Sequence, residues 1–366
     1  DQCSDDIIIN LCREIDIIAQ LNHPALLKFI GFSPTNFKNH PKPVIITELA
    51  SGGSLDSILD LEKNFCGDHN WDDTKKLINI YGIASGMSYL HKHKIIHRDL
   101  KPANILLDEY LFPKIADFGL SKDLTKKSEE ELLLKLKSGF KGTYAYCAPE
   151  VMGKQIYSEK GDVYAFAMIV YEIMTNEILY KGYNQYQVYN DVVKNIRPKF
   201  KKEHQVPYCY QKLIEKCWMS YPEKRPTFDY IKNLLETNED FITKNVDEVE
   251  FLNYVSFIKD SENEVSALKF DFTKVSNDSN HSIQEPSEEI PNDCFLDINK
   301  YERQSLINKA DVSKLYKFKE IETGQIFAGQ MSMLKTKKLT KEVISHLSSV
   351  ISIISNLNHP SILKFI

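Results

Sequence analysis

Three short blocks in a fixed order constrain this chain more than anything else in it: His97-Arg98-Asp99-Leu100-Lys101-Pro102-Ala103-Asn104, then Asp117-Phe118-Gly119, then Ala148-Pro149-Glu150. Any one of them is a weak signal, but the ordered set leaves room for few folds. Length sets the frame around them. At 366 residues, with 42% hydrophobic and 27% charged side chains, the chain can build one large domain and carry additional segments.

The blocks resemble the catalytic loop, the metal-binding loop and the end of the activation segment of eukaryotic protein kinases. The resemblance implies an α+β, bilobal fold with a mainly helical large lobe. It also implies in-line transfer of the γ-phosphoryl group of ATP, with Mg²⁺, to a protein hydroxyl. Such transfer needs the nucleophile aimed, the phosphates held and the developing charge neutralised. By its place in the first block, Asp99 would accept the proton of the substrate hydroxyl, and Lys101 would sit beside the γ-phosphate. Asn104 and Asp117 would hold Mg²⁺, a hard cation that prefers such oxygens. Tyrosine kinases usually carry Ala or Arg where Lys101 stands, so Ser/Thr acceptors are favoured.

Further stretches extend the resemblance. Cys217-Trp218, Pro222 and Arg225-Pro226-Thr227-Phe228 are similar to the late-lobe pattern of tyrosine-kinase-like kinases, in which Arg225 would pair with Glu150. Asp162, at the start of an apolar helical run, looks like the aspartate that braces the catalytic-loop backbone, and Ile18, Phe29, His97 and Phe118 match the family's stacked apolar spine. Pro43 to Ala50 reads as a short apolar strand, and Ser51-Gly52-Gly53-Ser54 as a turn opening a helix. This resembles the adenine-binding hinge. It would make Thr47 the gatekeeper, give backbone groups of Glu48 and Ala50 to adenine, and count Ser54 among the nucleotide contacts. Glu14 falls at the small-lobe helix glutamate, whose lysine partner is expected upstream of Asp1.

Between the second and third blocks, Ser128-Glu129-Glu130-Glu131 and the apolar run after it form a capping-box signal for a short regulatory helix. A mobile charged loop fits those residues equally well. Thr125, Ser128, Ser138 and Thr143 are candidate phosphorylation sites, and the resemblance also places Thr143 against Asp99 and Lys101.

The chain repeats itself. Leu11 to Ile30 and Leu347 to Ile366 share Leu-Asn-His-Pro and Leu-Lys-Phe-Ile at a constant offset of 336 residues, His23 answering to His359. In both copies apolar positions recur at helical spacing up to a proline, and a short strand-like run follows. The expected organisation is a kinase domain over 1–237 that opens at the small-lobe helix without its three leading strands. An acidic, Ser-containing linker over 238–294 and the start of a second, kinase-like small lobe over 295–366 would follow. On this reading the chain is a fragment of a longer polypeptide.

The second copy departs from the family pattern. Asn308 to Ser313 stand where a glycine-rich phosphate loop belongs, and side chains there block the close backbone approach that glycine permits. Gln330 stands at the lysine position of the third strand, and Val350 at the position of Glu14. These losses resemble a pseudokinase. A displaced lysine, Lys314 or Lys317, is the alternative. Docked back onto the first copy, the segment is expected to stabilise more than to catalyse, because Gln330 supplies no charge.

Composition narrows the partners. The net charge of −5 gives no reason to expect nucleic acid or an anionic membrane surface. From Glu239 to Asp293 there are 14 acidic and 4 basic residues, which reads as a solvated linker, although Phe251 to Ile258 is locally apolar and suits a docking helix or strand. Seven scattered cysteines look like reduced cytosolic thiols, and the longest apolar run, Val163 to Met174, is too short to span a bilayer. A cytoplasmic Ser/Thr kinase acting on protein substrates, with the second copy regulatory or contacting another kinase domain, is the expected function. The alternative is a catalytically inactive scaffold.

Overall fold

The computed structural model describes residues 15, 17–33, 44–64, 70–124, 144–154, 156–267, 298–309 and 313–332, and they divide into two compact units. In chain order the strands are β1 (Phe29–Ser33), β2 (Val44–Thr47), β3 (Gly53–Ser54), β4 (Ile95–Ile96), β5 (Ile105–Leu107), β6 (Pro113–Ile115), β7 (Lys122–Asp123), β8 (Tyr301–Lys309), β9 (Ser313–Glu320) and β10 (Ile326–Ser332). The helices are α1 (Leu55–Lys63), α2 (Asp73–Lys92), α3 (Pro149–Lys154), α4 (Glu159–Thr175), α5 (Gln185–Val193), α6 (Tyr208–Cys217), α7 (Phe228–Thr237) and α8 (Glu248–Ala267).

The first unit, whose described residues lie within 15–22, 28–49 and 259–332, holds one antiparallel sheet in the order β1-β2-β10-β9-β8. Its central pairing joins segments far apart in the chain: Ala328 lies opposite Thr47 and Gln330 opposite Ile45. The resemblance had the strands beside β2 coming from upstream; in the described sheet those positions are taken by β10, β9 and β8. The cause is the alternation of β2, β9 and β10, each of which carries an apolar face that must be covered. Val44 and Ile46 pack with Ile298, Tyr301, Phe318 and Phe327 in one cluster. Burying each of the larger side chains contributes about 1.5–3 kcal/mol. Gly329 has no side chain for a specific reason. A Cβ there would lie 1.8 Å from Cε2 of Phe318, whose fully buried ring crosses the strand at that point.

The second unit is mainly helical, with two small sheets, β3-β5-β6 and β4-β7. Helix α2 begins where the Asp72 carboxylate accepts the Lys75 amide at 2.9 Å. It is buried on nearly every side, as its apolar residues on all faces dictate. Helix α4 contains the long apolar run, starts at the Ser158 cap and ends at Asn176, which takes the left-handed conformation at φ 54°. As expected from its length, the run is a core helix.

The acidic stretch expected as a linker is helical over Glu248–Ala267. Phe251, Tyr254, Val255 and Ile258 recur at helical spacing and are buried, so α8 docks by an apolar stripe while Glu248 and Asp260 face water. Tyr81 meets Phe251 and Tyr254 edge to face, and Phe112 packs on Tyr254. Gly82 permits this approach, since a Cβ there would lie 2.5 Å from both the Tyr254 hydroxyl and Pro113. Lys75 pairs with Glu250 beside the aromatic contact.

Candidate active site

The loop after β4 is shaped from beneath by one carboxylate. Asp162, 2% exposed near the start of α4, accepts the backbone amides of His97 and Arg98, each at 2.9 Å, and lies 2.9 Å from Nε2 of His91. Burial pushes the Asp162 acid up, but its hydrogen bond and charge contact with His91, helped by His97, hold it below the usual carboxylate range. The two amides let Arg98 sit at φ 68°, a conformation that side chains other than glycine adopt at a cost. His97, fully buried, packs its ring at a tilt against Phe118, 5.3 Å between centroids, and has Nε2 3.1 Å from the Ala116 carbonyl. The first and second blocks are thereby fastened together.

On this base Asp99, Lys101 and Asn104 form a tight group. Lys101 Nζ lies 2.6 Å from Asp99 Oδ2, and Asn104 Nδ2 donates to the same oxygen at 3.0 Å and to the Asp99 carbonyl at 2.8 Å. With its amide nitrogen so engaged, Asn104 turns its carbonyl oxygen away from Asp99 as a donor to a cation. Asp117 is exposed, takes φ 64°, and among the described residues receives a long contact from the Gly119 amide, 3.4 Å. Its carboxylate and the Asn104 carbonyl are hard oxygen ligands, the donor set Mg²⁺ prefers, so the residues fit that ion.

The third block is anchored from the far end of the unit. Arg225, with a fully buried side chain, grips Glu150 bidentately at 2.7 and 2.8 Å. It also donates to the Met219 carbonyl at 2.7 Å and the Lys160 carbonyl at 2.8 Å. Lys160 returns the contact through Nζ to the Arg225 and Pro226 carbonyls at 2.7 and 3.0 Å, and burial lowers its pKa. Sequence reasoning overlooked Lys160, whose only signal is its place two residues before Asp162. Tyr146 donates to Glu172, and burial raises the pKa of that carboxyl.

The hinge residues are placed as follows. Thr47 ends β2 and donates from its hydroxyl to the Glu48 carbonyl at 3.1 Å. The Glu48 amide donates to the Lys28 carbonyl at 2.9 Å, and its side chain accepts the Lys28 amide at 2.9 Å. Ala50 follows two residues later, and Ser54 caps α1 with its hydroxyl 2.8 Å from that of Ser57. Glu14, Thr125, Ser128, Ser138, Thr143, Val350 and the repeat at Leu347 to Ile366 lie outside the described residues.

Comparison with known proteins agrees with this geometry. Residues 1–235 match the model of the family described as protein tyrosine and serine/threonine kinase. The chain belongs to that protein kinase family. It is 35% identical over 235 residues to the probable serine/threonine-protein kinase drkC of Dictyostelium discoideum, covering 63% of this chain and 29% of that protein. It is 33% identical over 224 residues to the putative serine/threonine-protein kinase/receptor R826 of Acanthamoeba polyphaga mimivirus, covering 61% and 12%. It is 36% identical over 246 residues to the serine/threonine-protein kinase VIK of Arabidopsis thaliana, covering 64% and 52%. The chain therefore matches between about an eighth and a half of the length of these relatives. No helix among the described residues is long and apolar enough to cross a membrane.

Proposed function

We propose that the chain carries the catalytic centre of a Ser/Thr protein kinase of the tyrosine-kinase-like group, with Asp99 as the base. The observation that carries the reading is the Asp99 carboxylate, held by Lys101 and Asn104 over the amides that Asp162 fixes. The substrate hydroxyl donates to Asp99, which aligns its oxygen and takes its proton as the bond to phosphorus forms. Lys101 leaves its partner oxygen to face the transferred phosphoryl group and offsets its charge. Asn104 and Asp117 would hold Mg²⁺, which would supply positive charge against the phosphates. Thr47, Glu48 and Ala50 read the adenine, and Glu14 supports the phosphate-holding side.

The domain reading attached to this proposal keeps a kinase domain over 1–237, a connecting segment over 238–294 and a kinase-like, regulatory segment over 295–366, acting in cytoplasmic signalling. Support for a regulatory role comes from Gln330 and from the pairing of β10 with β2. The test is transfer of labelled γ-phosphate from MgATP to a protein substrate rich in Ser, Thr and Tyr. Label on Ser and Thr is expected. Label on Tyr alone overturns the acceptor assignment, and no label with bound nucleotide points to a scaffold.

A further inference from the structure

We propose that Lys317 is the phosphate-binding lysine of the first unit's sheet, replacing the cation that Gln330 does not provide. The inference rests on the kinase reading above. The register carries it. Ala328 lies opposite Thr47 on one side and opposite Lys317 on the other, so the three form one cross-strand row. Directly opposed residues share a face of an antiparallel sheet, as do residues two apart along a strand. Thr47, Ala328, Lys317 and Gln330 therefore lie on one face.

The other face carries the aromatic cluster, where Phe318, Phe327, Val44 and Ile46 meet, while on the Lys317 face Ile45 and Ala328 are buried and Lys317 and Gln330 are exposed. Lys314 lies opposite Met331, whose side chain packs on that cluster, so Lys314 is on the wrong side. The sequence left two lysines open, and the pairing selects one. Opposed Cβ atoms are about 4.5–5.5 Å apart and diagonal ones about 7–8 Å. The four-carbon stem of Lys317 is long enough to reach across that diagonal toward Gln330. Lys317 is exposed, and it makes no ion pair among the described residues. Lys319, the next cation on this face, lies opposite Ile326, farther from Gln330, with its stem against Gly324. The Lys317 ammonium, which has no ion pair among the described residues, suits a polyphosphate.

The experiment is titration of the full chain with a fluorescent ATP analogue and Mg²⁺, with melting temperature recorded for every variant. Lys317→Met is expected to weaken binding roughly tenfold or more without lowering the melting temperature, as loss of a charge-assisted contact does. Gln330→Lys in the Lys317→Met background is expected to restore binding, because it moves the ammonium across the diagonal. Lys314→Met is expected to bind as the parent chain does. Parent-like binding by Lys317→Met, absence of rescue by Gln330→Lys, or no binding by the parent chain would each overturn the proposal. Binding that follows this pattern without phosphoryl transfer would instead count against the kinase reading, so the two fail separately.

Discussion

The loop around Asp99 and the sheet around β10 solve different problems with different means. The loop is local: His97, Asp99, Lys101 and Asn104 lie within eight residues, and a carboxylate from one helix fixes their backbone. The sheet is non-local, and it joins Val44–Thr47 to Ile326–Ser332 through apolar faces that neither segment can cover alone. The difference teaches where chemistry and architecture are written. The loop is one short run held by hydrogen bonds, whereas the sheet rests on shape, as Gly329 beneath the Phe318 ring illustrates.

The comparison can be broken at either end, and the largest effect is expected in the second unit. Arg225→Met leaves Glu150 buried without its cation and should cost about 3–5 kcal/mol, read as a lower urea midpoint. A midpoint equal to the parent's would mean that the third block is held by packing alone. Asp162→Asn should cost about 1.5–3 kcal/mol through its hydrogen bonds to the loop amides. Its pH dependence adds a sign. The folded-state pKa of Asp162 is depressed, so its stabilisation is present above the unfolded carboxylate value and fades as pH falls through the folded one. The Asn variant should accordingly lose less stability than the parent on going below about pH 4. An unchanged acid limb would remove Asp162 from the account.

In the sheet the expected effect is smaller. Gly329→Ala should cost about 1–3 kcal/mol, since the new methyl group must displace a buried ring. Phe318→Leu in that background should recover part of the loss, a coupling that additive effects would not give. Additivity would show that Phe318 does not lie over Gly329.

Much of the second unit was legible before any coordinates. The family resemblance pointed to the Arg225 to Glu150 pair and to the bracing of the loop by Asp162, and both contacts are present; the roles given to Asp99, Asn104 and Asp117 rest on that resemblance. Two features were read only in part, the docking of the second copy onto the first and the apolar stretch from Phe251 to Ile258. The pairing of β2 with β10 is invisible locally, since a strand's alternation shows that one face is buried but not by which partner. Helix α8 was legible in principle, for Phe251, Tyr254, Val255 and Ile258 keep helical spacing. The sequence reading left helix and strand both open for that stretch. For Lys314 and Lys317 the sequence offered two lysines of the same kind, and only the register separates their faces.

The central claim is that phosphoryl transfer runs through the Asp99 loop, and Asp99→Asn tests it most directly. With MgATP and a Ser/Thr-containing protein substrate, the account predicts that the variant keeps its fold and nucleotide binding and loses roughly 10²-fold or more of the transfer rate. Transfer at the parent rate by the Asn variant would contradict it.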